Sequence, residues 1–138
     1  MSNEAANVDV LKDAYRQWND TRGGSVAQIV SICDPNISWA SVPRGEAPLA
    51  FAAQYNKRDE LQIYVDGLLS DWTMVHYTID EYIAQGDVVF ARGSCAWTNK
   101  KTGKIAETPK VDFWRFRDGK AIEFYEYFDT ACVAAAAA

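Results

Sequence analysis

The stretch Lys110-Val-Asp112-Phe-Trp114-Arg-Phe-Arg-Asp118-Gly119-Lys-Ala-Ile-Glu123-Phe-Tyr125-Glu126-Tyr127-Phe-Asp129-Thr-Ala131 decides the fold. Two aromatic, β-prone runs flank Arg-Asp-Gly-Lys, and Asp-Gly between alternating hydrophobics is the strongest short-range hairpin signal. Asp112 and Asp129 lie inside these strands, the last of which is expected to run from Ala121 to about Thr130, where Asp is normally depleted. Because alternate strand residues share a face, each must look either into water or into an interior pocket.

Working upstream, Asn99 to Lys104 reads as a turn, and Ile105 to Pro109 leads into the strand Val111 to Phe116. Two longer strands, Trp72 to Ala84 and Val88 to Thr98, are separated by Gln85-Gly86-Asp87. The first part of the chain carries helical spacing instead. Val8, Leu11, Tyr15 and Trp18 form one apolar stripe on a helix capped by Asn7 and ended by Gly23-Gly24. Ser25 caps a short second helix with Ile29, Val30 and Cys33 on its buried side. Ile37 to Val42 follows as a strand, and Pro43 to Pro48 as a loop long enough to form a functional rim. Ala50 to Tyr55 is expected to be helical, and Asn56 to cap a longer helix reaching Leu69. The Ala-rich end, from Ala134 to Ala138, is expected to fray. Helices followed by a run of antiparallel strands indicate an α+β fold within one domain spanning 1–138, with its core at about 8–131.

With 138 residues, 49% of them apolar and 24% charged, the composition is that of an ordinary globule with a hydrophobic core. Aromatic residues make up 13%, which suits a dense core or an aromatic-lined cavity. A net charge of −5 argues against nucleic acid and anionic membrane surfaces as partners. Cys33, Cys95 and Cys132 lie far apart and His76 is the single histidine, so neither a disulfide framework nor a metal site is expected. No stretch at the start resembles a signal peptide and no apolar run is long enough to span a bilayer, so a reducing, cytoplasmic setting is expected.

The order of elements and the closing pattern "VDFWRFRDGKAIEFYEYFDTA" resemble the SnoaL-like domains of the nuclear-transport-factor-two-like superfamily, which also holds ketosteroid isomerase and limonene-epoxide hydrolase. The resemblance covers Val8 to Ala131. It implies a cystatin-like cone in which a curved, mostly antiparallel sheet packs on three N-terminal helices around a pocket. It also implies site residues. Tyr15 stands where ketosteroid isomerase has its helix tyrosine, and Asp112 where it has its oxyanion-binding Asp. Ser41 stands near that enzyme's base, so steroid isomerisation by the usual route is not expected. Glu126-Tyr127-Phe128-Asp129 resembles the closing motif of limonene-epoxide hydrolase; Arg92 is retained, but Ser94 stands at the position of its middle-strand Asp. Asp129 also matches the acid/base Asp of SnoaL-like cyclases.

The resemblance therefore implies cofactor-free acid/base chemistry (cyclisation, isomerisation or water addition) on an apolar or carbonyl-bearing ligand. Asp129 is the expected acid/base, Asp112 and Tyr15 the donors, and Arg92 the orienter. Trp39, Ser41, His76, Ser94, Trp114, Tyr127 and Trp18 are the candidate pocket residues. Ser41 and Ser94 leave open a second possibility, a non-catalytic module that binds a hydrophobic ligand or a protein partner. A homodimer is expected as well, because Val89, Cys95, Trp97, Val111, Phe113, Phe124 and Phe128 look too apolar for an outer sheet face.

Overall fold

The computed structural model describes residues 3–138. Helices α1 (Glu4–Asp20) and α2 (Val26–Ser31) precede strand β1 (Cys33–Ser41). A loop and a single 3-10 turn (Arg58–Glu60) lead to α3 (Leu61–Asp71). Strands β2 (Trp72–Gln85), β3 (Val88–Asn99), β4 (Ile105–Arg117) and β5 (Lys120–Phe128) follow, and α4 (Thr130–Ala137) closes the chain. The sheet order is β1-β5-β4-β3-β2. All neighbours are antiparallel except β1 and β5, which run parallel. The architecture is the expected α+β one: helices and the rim loop cover one face of a curved, unclosed sheet, and one hydrophobic core lies between them. Among the described residues no helix is long and apolar enough to cross a membrane.

The apolar stripe of α1 buries Leu11, Ala14, Tyr15 and Trp18 against the sheet. The helix begins four residues earlier than the sequence suggests. Asn7 is one of its buried residues rather than its cap, and Asn3 occupies the cap position. Cys33 opens β1 instead of closing α2, and the Ala50 to Tyr55 segment forms turns, not a helix. The Ala-rich end is ordered as α4: Ala136 is buried, and the Thr102 hydroxyl donates to its carbonyl at 2.6 Å. Good helix propensity needs only a cap and a docking surface to prevail, and Asp129 supplies the cap.

The β4–β5 hairpin turns on Asp118 and Gly119, both with positive φ (51° and 78°), as a two-residue primed turn requires. Arg117 pairs with Lys120 and Phe116 with Ala121. The register then slips: Arg115 faces Glu123, leaving Ile122 as the extra residue of a bulge. From there on Asp112 faces Glu126 and Lys110 faces Phe128. A one-residue slip moves every later side chain to the other face of the strand. Without the bulge, Tyr125, Tyr127 and Asp129 would look inward; with it, Phe124, Glu126 and Phe128 do. The homodimer expectation drew on both faces: the bulge turns Phe124 and Phe128 inward, and Val89, Cys95 and Trp97 pair with the inward Trp114, Thr108 and Ala106. Val89, Cys95, Trp97, Phe124 and Phe128 belong to the core, and only Val111 and Phe113 of that set lie on the outer face.

On β3, Gly93 sits where only glycine fits, since a Cβ would lie 1.9 Å from the Thr78 carbonyl oxygen. It pairs with Lys110 and so stands beside the polar centre of the inner face.

Candidate active site

The helices and the inner face of the sheet enclose a cavity of about 90 Å³. Its walls are mostly aromatic and aliphatic, including Tyr15 and Trp18 from α1, Trp39 from β1, Tyr64 from α3, and Trp97 and Trp114 from the sheet. Rings meet mostly edge to face: Trp39 lies 5.5 Å from Tyr64 and 5.7 Å from Trp114, and it stacks on Phe124 at 3.9 Å.

Three ionisable side chains interrupt this apolar wall. Lys110 and Asp112 are two apart on β4 and thus share its inner face, and Glu126 stands directly across from Asp112 on β5. The Lys110 ammonium lies between the carboxylates, 3.1 Å from Asp112 Oδ1 and 2.8 Å from Glu126 Oε2, and it also reaches the Tyr77 hydroxyl. All three are buried, Asp112 completely. A buried cation between two buried anions is tolerable only because each charge has partners.

The two carboxylates are treated differently. Glu126 accepts from Ser41 Oγ at 2.7 Å, from Tyr64 at 2.8 Å and from Lys110. Burial alone would raise its pKa, but the Lys110 charge and these three donors hold it below the usual glutamate value. Asp112 accepts at Oδ2 from Tyr15 and, at 3.2 Å, from Tyr77. Its Oδ1 faces only the Lys110 ammonium, at 3.1 Å, a cation that it shares with Glu126. Burial dominates here, and with the Glu126 charge opposite it pushes the Asp112 carboxyl up to about 6 against the pull of Lys110. Burial would lower the lysine, but the two carboxylates raise it above its ordinary value, so it stays an ammonium. Tyr15 and Tyr64 are raised well above the ordinary phenol value, first by burial and then by the carboxylate each one serves. They remain neutral donors. Trp114 Nε1 completes the chain by donating to the Tyr15 oxygen at 2.9 Å.

The cluster can exchange one proton near neutral pH, at Asp112, and can orient that carboxyl from several sides. Lys110, Glu126, Tyr64 and Tyr77 were not foreseen from the sequence. The spacing Lys110, Asp112, Trp114 does place the lysine on the face of the Asp; Glu126 becomes visible only once the bulge is known.

Of the residues singled out from the sequence, the structure brings together Tyr15, Asp112, Trp18, Trp39 and Trp114 at the cavity. Ser41 is fully buried just behind its wall. It places the others elsewhere. Asp129 is exposed and caps α4, accepting from Cys132 N at 3.0 Å. Arg92 is exposed and pairs with Glu81 on the outer face, so it does not orient Asp129. His76 pairs with Glu107 at 3.1 Å, also on the outer side, and its neighbour in this respect, Ser94, shares the parity of Arg92. Tyr127 is 49% exposed and packs on Tyr125 at 4.8 Å. Strand parity excludes Arg92, Ser94, Tyr127 and Asp129 from the cavity, and the register shift between Met74 and His76 turns His76 outward. All three cysteines are free, and among the described residues no group of three His, Cys, Asp or Glu side chains is placed to hold a metal ion.

Residues 11–124 match the SnoaL-like domain family, and the chain belongs to it. Solved structures agree on the fold. An NTF2-like protein from Burkholderia thailandensis is 25% identical, with a TM-score of 0.79 over 96% of this chain and 97% of that one. A protein of ketosteroid isomerase-like fold from Catenulispora acidiphila, in complex with trimethylamine, is 15% identical with a TM-score of 0.71, each chain covered to 86%. IdmH from Streptomyces antibioticus, provisionally described as a polyketide cyclase, is 18% identical with a TM-score of 0.69 over 95% of this chain and 97% of that one. No curated protein matches the sequence significantly.

Proposed function

We propose that the cavity is the active site of a cofactor-free acid/base enzyme in which Asp112, not Asp129, carries the proton. The substrate is small, neutral and largely apolar. The observation that carries this reading is the state of Asp112. Its carboxyl is fully buried in an aromatic cavity, held at one oxygen by two tyrosines and facing only the shared Lys110 ammonium at the other, with a pKa of about 6. An acid/base group works best when its pKa lies near the working pH. Above about pH 6 the carboxylate accepts a proton at Oδ1, and Tyr15 and Tyr77 keep it from turning. Glu126 and Lys110 remain ionised throughout, so the proton returns from Asp112 and from no other group in the cluster.

The substrate class follows from the walls. A cavity of about 90 Å³ is well below the roughly 300–1,000 Å³ of sites for drug-sized ligands. It matches a molecule of about one ring. With Asp112 ionised, the cluster carries one net negative charge, which disfavours anions. Cyclisation, isomerisation and water addition all fit a single proton carrier; the likeness to IdmH favours cyclisation. Ketosteroid isomerase activity is not expected. Ser41 is no base, and its hydroxyl is committed to Glu126.

The test is a carbon-detected NMR titration of the Asp112 carboxyl. A midpoint near pH 6 that Lys110→Met shifts upward supports the assignment, and an ordinary midpoint near 4 sinks it. A second reading, a non-catalytic binding module, is favoured by Glu126, whose three donors leave it internally satisfied. A normal Asp112 titration together with ligand binding would establish that alternative.

The protein is further proposed to be a homodimer through the outer sheet face. There Phe90 and Phe113 meet at 5.4 Å beside Tyr125 and Tyr127. Sedimentation equilibrium at micromolar concentration giving the 15.4 kDa monomer mass would contradict this.

A further inference from the structure

Two polar atoms at the cavity, both buried, lack an aligned partner. One is the acceptor Asp112 Oδ1, which faces only the shared Lys110 ammonium at 3.1 Å, and the other is the donor Trp39 Nε1, which has no partner at all. Among the described residues, the other buried side-chain atoms without a partner, Ser25 Oγ and Gln28 Oε1, belong to residues that do not line the cavity. A buried indole N–H without an acceptor is unusual enough to need a cause. Trp114, the other indole beside the cluster, is satisfied by Tyr15.

Trp39 is well placed for its N–H to serve the same ligand as Asp112. Its backbone pairs with Phe124, two residues from Glu126 on β5, and its strand neighbour on the same face is Ser41, which binds Glu126. Its ring is wedged between Tyr64, the partner of Glu126, and Trp114, which leads through Tyr15 to Asp112. The stack on Phe124 fixes the ring plane. The tyrosine hydroxyls cannot play this part, because Tyr15 and Tyr64 already spend their protons on the two carboxylates. Nor can Lys110, which both carboxylates hold.

We propose that the Trp39 indole N–H is the donor that binds the substrate's carbonyl oxygen and stabilises the oxyanion formed when Asp112 removes the adjacent proton. The proposal rests on Asp112 as the base. In the step, the C–H bond next to the carbonyl breaks and its proton bonds to Asp112 Oδ1. The electron pair moves through the new C–C double bond onto the carbonyl oxygen, where Trp39 meets it. Where a C=C bond lies β,γ to the carbonyl, reprotonation by Asp112 at the γ carbon completes an isomerisation; where the molecule holds a second carbonyl, the enolate carbon attacks it and the alkoxide formed takes the proton back from Asp112, completing a cyclisation. The ligand is thus a small neutral ketone or aldehyde with an acidic hydrogen beside the carbonyl. A molecule offering only an anion or only a donor leaves one of the two atoms unsatisfied.

Cyclopentanone is a suitable probe, observed in two ways. The protein has five tryptophans, so nitrogen-labelled material gives five indole N–H signals, and Trp39→Phe identifies one by its loss while preserving a ring to stack on Phe124. Titration with cyclopentanone is expected to move that signal downfield, in the wild type and in Asp112→Asn alike. In D2O the wild type is expected to speed exchange of the α-hydrogens, and Trp39→Phe to lower that kcat by about 10²- to 10³-fold, the usual cost of one oxyanion donor. The proposal is overturned if no indole signal responds, if others move while that of Trp39 does not, or if Trp39→Phe exchanges as fast as the wild type. Failure of the base assignment looks different. The Trp39 signal moves, but the wild type gives no exchange, or Asp112→Asn exchanges at the wild-type rate.

Discussion

Strands β4 and β5 are the two arms of one hairpin, yet their side chains obey different rules. Along β4, strict alternation from Ala106 to Phe116 brings Thr108, Lys110, Asp112 and Trp114 inward, and period-two counting from any of them finds the rest. Along β5 the count breaks at Ile122, and every residue beyond it lies on the face opposite to the one the turn alone would assign. The same hairpin therefore contains an aspartate buried in the cavity and another exposed at a helix cap. The contrast teaches that an acidic residue in an aromatic strand acquires its chemistry from its face, and that a bulge upstream can decide the face.

Deleting Ile122 is the most direct way to break this contrast. It would turn Glu126 toward solvent and Tyr125 and Tyr127 into a filled core, leaving Lys110 short of a partner. Loss of the cooperative thermal transition is expected. A deletion variant that melts like the wild type, with an unchanged Asp112 titration, would show that the bulge does not control the site.

Replacing Lys110 with Met tests the inner face itself. It leaves two buried carboxylates without their cation, and removing one partner of a buried ion pair costs about 3–5 kcal/mol. Urea denaturation should show that loss at pH 8 and much less at pH 5, where Asp112 takes up a proton. A loss independent of pH would mean that the carboxylates do not share the charge as described.

Asp112→Asn should abolish acid/base turnover, by about 10²- to 10⁴-fold, while Asp129→Asn should leave it unchanged; the reverse pattern would restore the sequence expectation. The wild-type rate should rise with pH through about 6, since the base must be ionised. Stability should move the other way. The folded-state value of Asp112 lies above its unfolded value, so its contribution is complete below the unfolded pKa and is lost as pH rises through about 6. Glu126, held below its ordinary value, contributes above its unfolded pKa and loses that contribution as pH falls. Asp112→Asn should remove the loss above pH 5, and calorimetry across pH 4 to 8 checks it.

The smallest effect is expected at the outer partner of the comparison. Asp129→Ala removes the cap of α4 and should cost about 1 kcal/mol. Asp129→Ser should recover most of it, which a purely electrostatic role would not allow.

Much was legible because it is local. The Asp118-Gly119 turn, the five strands, the stripe of α1 and the family resemblance all follow from neighbouring residues and short periods. So do Tyr15, Asp112, Trp18, Trp39 and Trp114 as inward-facing side chains. Asp129 and Arg92 were misplaced because the motif they belong to carries no sign of which strand face it will occupy. Glu126 was overlooked because the turn assigns it outward, and Lys110 because a lysine is rarely buried unless it is paired, and its pairing is complete only with Glu126 from the neighbouring strand.

The amino-acid sequence by itself determined that this chain forms helices followed by a hairpin-rich sheet with acidic residues among aromatics, because backbone conformation and hydrophobic period are set over a few residues. Only the tertiary structure decided which carboxyl is buried beside a lysine and which caps a helix. That choice depends on the register between two strands, on the one residue left over between them, and on charges that meet only when β4, β5, α1 and α3 close around one cavity.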